Sequence, residues 1–137
     1  MSSSIATCFE ALDKVQEGGN LDQSCRKVVM VYSAWGIIEN GGLQYFFESN
    51  FPGDPSYDVF VQAFSSVGFT EIALRFSKLV SLFPFDDPHK FPQKRQDFID
   101  SRPSSFITSM EELDDLFFAH ENIEQTLNSF LQVPVKS

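Results

Sequence analysis

This chain has few side chains suited to chemistry. It contains two histidines, His89 and His120, and two cysteines, Cys8 and Cys25. His89 lies in the stretch DDPHKF, where Asp86 and Asp87 would be its partners in a metal cluster. Metal ligands need fixed geometry, and a charged, proline-bearing stretch reads more simply as a solvated loop. His120 falls on an apolar helical seam, where a partly buried, hydrogen-bonded core histidine is expected rather than a base. Cys8 and Cys25 form no CxxC pair and lie on apolar helix faces. They are expected to behave there as small hydrophobes, which argues against a disulfide scaffold and a zinc site. Glu39 and Glu48 are a paired-carboxylate candidate for acid–base work, but nothing in the sequence fixes their separation. The GxxxxGK, GxSxG and HExxH patterns are absent. The expectation is a non-enzymatic protein with no cofactor and no metal.

Charge points to a partner instead. The formal net charge is -9 and the pI about 4.5. Phosphates repel such a chain, so direct nucleic-acid binding is not expected, whereas basic protein surfaces attract it. Between Arg102 and Lys136 there is no Lys or Arg, while Glu111, Glu112, Asp114, Asp115, Glu121 and Glu124 are all acidic. On a helix, Glu111 to Asp115 spans about 6 Å. That is about one charge per 2 Å, close to the roughly 1.7 Å per charge of duplex DNA. Two plainer accounts stand beside this one. Acids in a first helical turn favour the positive end of the helix dipole, and negative charge keeps a protein in solution.

The elements that must carry these residues read as helices throughout, and no stretch alternates with period two. Ile5, Cys8, Leu12 and Val15 predict a first helix over about 4–17, ended by Gly18-Gly19. Asn20 and Gln23 resemble a capping box for a second helix, apolar around much of its circumference and therefore central. Asp54 with Pro55 is the expected start of the next long helix, with Tyr57, Phe60, Val61, Phe64 and Val67 as its stripe. Thr70 is expected to cap the one after it, with Ile72, Phe76, Leu79 and Phe83 buried. A proline-rich stretch follows, holding one short helix over 93–100. Ser109 and Glu112 then read as a capping box opening an acidic C-terminal helix over about 109–131, straight or broken near Glu121-Asn122. The fold class is all-α, a single-domain bundle of about six to seven helices over 1–137. No segment has the length of a membrane span, and the N-terminus lacks the pattern of a signal peptide. A soluble, cytoplasmic protein is expected.

The most distinctive segment is IENGGLQYFF, Ile38 to Phe47. Gly41-Gly42 should stop the second helix, and Leu43 to about Asn50 should restart at once. Asn40 can bond the freed carbonyls, Gln44 can reach back across the turn, and Tyr45, Phe46 and Phe47 can pack the restarted helix on the core. Read this way, Glu39, Asn40, Gly41, Gly42, Gln44 and Tyr45 form a structural corner. The alternative is a small-ligand or enzymatic pocket lined by Glu39, Asn40, Gln44 and Tyr45.

The same segment resembles a family of small bacterial helical proteins. Its recurring motif is an acidic residue, Asn-Gly-Gly, and a Gln-Tyr-Phe-Phe-like run, and its best-described member is a double-stranded-DNA mimic. The resemblance covers roughly Val28 to Pro84 and includes Gly68, Ala73, Phe83 and Pro84. This chain has Glu39-Asn40 where the family commonly has a second Asn, and Leu43 where it often has Phe. The resemblance implies an acidic protein that occludes a basic, nucleic-acid-binding partner. The partner would be a DNA-binding regulator or a histone-like protein; alternatively, a small, acidic chain without enzymatic motifs fits the immunity protein of a nuclease or deaminase toxin. The regulator version also implies a homodimer.

Overall fold

The computed structural model describes residues 4–15, 22–51, 53–120 and 122–132, and the side chains of 13–15 are not described. Among these residues there are seven α-helices, one 3₁₀ turn at Pro88–Lys90 and no strand. The helices are α1 (Ile5–Val15), α2 (Gln23–Glu48), α3 (Tyr57–Ser66), α4 (Thr70–Val80), α5 (Pro92–Asp100), α6 (Ser104–Ala119) and α7 (Ile123–Gln132). The all-α expectation holds.

The apolar seam of α2 makes it the axis of the bundle. Val28, Val31, Trp35 and Ile38 are buried on it, and α1, α3, α5, α6 and α7 all pack against it. Helices α3 and α4 form a hairpin turned at Gly68, whose φ of 103° suits only glycine. Helix α4 closes on α6, and the rings of Phe46, Phe47, Phe64 and Phe76 pack together at the centre, Phe46 edge to face with Phe47 and Phe76.

Several helix starts differ from expectation, each for a local reason. Ser56, not Asp54, precedes α3, and its hydroxyl accepts from the Asp58 amide at 3.2 Å. Asp54 instead adopts a positive φ of 46° in the loop. Phe69 holds the cap position of α4, and Thr70 is already helical. Helix α2 begins at Gln23 after Asp22, and Asn20 lies outside the described residues. The largest shift is in α6. It begins at Ser104 rather than near Ser109, because Phe106 and Met110 extend the buried seam of Leu113 and Phe117 upstream. Ser109 and Glu112 are mid-helix and cap nothing. The helix breaks at His120, whose ψ of 116° is extended, and α7 starts anew at Ile123.

Cys8 and Cys25 are not separate small hydrophobes. They form a buried disulfide between α1 and α2, with Ala11, Leu12, Val29 and Leu131 around it. Helix α1 is further held by the Phe9 ring against Tyr32 and by the Ile5 amide, which donates to Asn128 Oδ1 at 3.0 Å.

Candidate functional site

Gly42 makes the corner. Its φ of 73° and ψ of -177° lie in a region that is essentially glycine's alone, where a side chain costs about 1–3 kcal/mol. The kink there interrupts α2 and frees the Leu43 amide from its helical acceptor. A restarted helix needs a capping acceptor, and glycine has no side chain to supply one. Asp114 of α6 supplies it: the Leu43 N–H donates to Asp114 Oδ1 at 2.8 Å. The fit is close, since a Cβ on Gly42 would stand 3.1 Å from Asp114 Oδ2. Gly41 is required for a different reason, because a Cβ there would stand 2.6 Å from the Cβ of Tyr45.

Other expectations at the corner are corrected. Phe46 and Phe47 are fully buried, but Tyr45 is 47% exposed and does not pack the helix on the core. Gln44 does not reach back across the turn. It reaches forward one turn to Glu48 Oε2 at 3.2 Å, which also accepts from Gln96 Nε2 at 3.2 Å. Glu39 and Asn40 are exposed. Glu48 is thus committed to two amides, not paired with Glu39.

The end of α2 is held by a residue that sequence reasoning missed. Arg95 of α5 is 1% exposed, and its guanidinium donates to Phe47 O at 2.8 Å, Ser49 O at 3.4 Å, Asn50 Oδ1 at 2.9 Å and Pro88 O at 2.7 Å. A cation at a helix C-terminus meets both the orphan carbonyls and the negative end of the dipole. Burial pushes the phenol of nearby Tyr57 up to about 12, against the opposing pull of the Arg95 charge.

The two histidines sit at the edge of the aromatic core. His89 is half-buried, edge-on to Tyr57, beside a cleft of about 180 Å³. His120 is exposed rather than seated in the core seam, with its ring against Trp35 and Phe69. Among the described residues no three His, Cys, Asp or Glu side chains converge as metal ligands would.

The acidic residues fall into separate groups. Glu111, Asp114 and Asp115 share the flank of α6 that turns toward α2, as Asp114's contact with Leu43 fixes. Glu112 lies about 200° around the helix from Asp114. It faces α4, where its carboxylate is 3.8 Å from Arg75, an exposed pair that contributes little. Glu124 of α7 accepts from the Tyr32 hydroxyl at 3.2 Å. That bond and the Glu124 charge raise the Tyr32 pKa, and burial and the charge of Glu39 add to the shift. Glu121 lies outside the described residues. Asp114 differs from its neighbours in being half-buried. Burial raises its pKa, the Leu43 N–H opposes that shift, and the charges of Asp115 and Glu111 add to it. The corner and the acidic helix are therefore one structure, joined at Asp114.

No curated protein matches the chain, and no solved structure does. A family model described as DMP19-like protein matches residues 19–133. The match leaves α1 outside but includes the corner and runs well beyond Val28–Pro84, through α5, α6 and α7. With most of its length inside that match, the chain belongs to the DMP19-like protein family.

Proposed function

We propose that this protein is a non-enzymatic acidic inhibitor that covers the basic, nucleic-acid-binding surface of a partner protein. The observation that carries the reading is the position of the charges on α6. Its first turn holds no acid, and Glu111 and Asp115 are exposed at its middle. The helix dipole acts mainly on the terminal turns, so it does not account for acids placed there. No Lys or Arg lies between Arg102 and Lys136, and neither acid is in an ion pair among the described residues. Family membership points the same way, given the resemblance of the corner motif to a double-stranded-DNA mimic. A small-ligand pocket at Glu39–Tyr45 draws no support from the side chains, since Glu39, Asn40 and Tyr45 face solvent and Gln44 is tied to Glu48.

The partner is a DNA-binding regulator, a histone-like protein or a nucleic-acid-targeting toxin, with immunity as the role in the last case. Homodimerisation and a cytoplasmic location belong to the same reading. Among the described residues no helix is long and apolar enough to cross a membrane. Disulfides are rare in the cytoplasm, so there Cys8 and Cys25 would stand as two buried thiols in contact.

The test is a pulldown from native lysate at low and high salt with the wild type and with Glu111→Gln/Glu112→Gln/Asp115→Asn, which leaves Asp114 in place. The expected result is a basic nucleic-acid-binding protein that is weakened by salt and lost in the triple variant. Capture that is indifferent to both would refute the reading.

A further inference from the structure

Resting on the protein-binding reading, we infer that the α2-side flank of α6 reads arginine, with Phe118 as the platform for a guanidinium donated by the partner. Of the sixteen phenylalanines, every one but Phe118 either pairs with another aromatic ring or packs against the buried core among the described residues. Phe118 does neither and is 52% exposed. Its neighbour Phe117 takes the core position, and two successive helical residues point about 100° apart, so only one of the pair can face inward.

The ring is presented on a charged face. Glu111, Asp114, Asp115 and Phe118 stand at i, i+3, i+4 and i+7, the spacing of a single helix face. Phe91, another exposed phenylalanine, already has a cation of its own: Lys94 Nζ lies 4.7 Å from its ring centroid. Among the described residues Phe118 has none, and the sequence holds no Lys or Arg between Arg102 and Lys136. Arginine suits the vacancy better than lysine. Its planar guanidinium can lie flat on a ring while its edge donates to carboxylates on either side, whereas an ammonium is a compact, strongly hydrated point charge. The carboxylates then supply attraction and encounter rate, and the ring supplies discrimination between cations.

The experiment titrates wild type, Phe118→Ala, Phe118→Tyr and Glu111→Gln/Asp115→Asn with octa-arginine and octa-lysine, by calorimetry and amide chemical shifts at low ionic strength. In wild type, octa-arginine should bind more tightly, with the largest shifts around Phe118. In Phe118→Ala the arginine-over-lysine ratio should fall about 2- to 5-fold, the factor for one exposed cation–π contact. Lysine affinity and melting temperature should hold, and Phe118→Tyr should restore the ratio. A ratio unchanged in Phe118→Ala would overturn the inference while leaving the acidic-inhibitor reading intact. If neither peptide binds, or if Glu111→Gln/Asp115→Asn weakens neither, the underlying reading fails as well. A dimer of the chain alone that dissolves in Phe118→Ala would also overturn the inference, because a second copy would then already cover the ring.

Discussion

Asp114 is the residue on which the corner and the acidic face can be separated. Replacing it with alanine leaves the Leu43 N–H, at the start of the restarted helix, without its 2.8 Å acceptor. Lost caps and unsatisfied half-buried amides cost about 1–2 kcal/mol, or roughly 3–10 °C in melting temperature for a chain of this length. Asp114→Asn keeps an oxygen acceptor in the same place and removes the charge. The sign of its effect follows from the raised pKa. The native state holds the Asp114 proton to a higher pH than the unfolded chain does, so stability falls as pH rises from about the ordinary value of 3.8 through the raised one. The amide cannot titrate. Asp114→Asn should therefore match wild type near pH 3, gain on it through that window, and stay at or above it at neutral pH. Urea and thermal melts followed by circular dichroism from pH 3 to pH 7 read all three proteins. If Asp114→Ala melts with wild type, the cap contributes nothing. If Asp114→Asn falls with Asp114→Ala, the oxygen is not what matters, and either result would overturn the capping role of Asp114.

The other structural predictions concern the two ends of the bundle. Arg95→Met leaves the carbonyls of Phe47, Ser49 and Pro88 without their donor and should cost about 3 kcal/mol or more in chemical denaturation. Arg95→Lys keeps the charge but not the fork, and should fall most of the way to Arg95→Met. Reducing the Cys8–Cys25 bridge, which spans 17 residues, should cost about 3 kcal/mol in the docking of α1 on α2. The loss should appear as faster amide exchange in α1, which lies outside the family match, while 23–120 keeps its protection. Uniform loss of protection would show instead that α1 is integral to the core.

The parts of this fold that are legible in the sequence are those set by spacing within one helix. The seams of α3 and α4 follow the three-and-four pattern of Tyr57, Phe60 and Phe64, or of Ile72, Phe76 and Leu79, and Gly41-Gly42 marks the kink. What is not legible depends on partners far away in the chain. Arg95 looks like one more charge in a polar stretch, because its acceptors include backbone carbonyls up to 48 residues away that carry no mark in the sequence. Ser109 and Glu112 have the spacing of a capping box, and only the burial of Phe106 and Met110 shows that the helix has already begun. Cys8 and Cys25 have no motif, and their pairing needs the approach of α1 to α2. Asp114 reads like its acidic neighbours until the kink at Gly42 shows which amide it serves.

That last difference has a consequence for the protein as a whole. Glu111 and Asp115 repel Asp114, so the face proposed to bind a partner works against the bond that supports the corner. Like charges three or four residues apart on a helix, as Glu111 is from Asp114 and from Asp115, cost about 0.2–0.5 kcal/mol a pair at low salt, and less as salt screens them. Glu111→Gln/Asp115→Asn should therefore be slightly more stable than wild type in dilute buffer, with the gain shrinking at high salt, while it loses partner binding. The trade is the one expected of residues kept for function rather than for folding. Melts of wild type and the double variant at low and high ionic strength, set beside their pulldowns, measure both sides of it. If the double variant is less stable, the two acids support the fold. Its lost binding would then report a damaged corner rather than a removed surface, and the assignment of the partner face to α6 would fall.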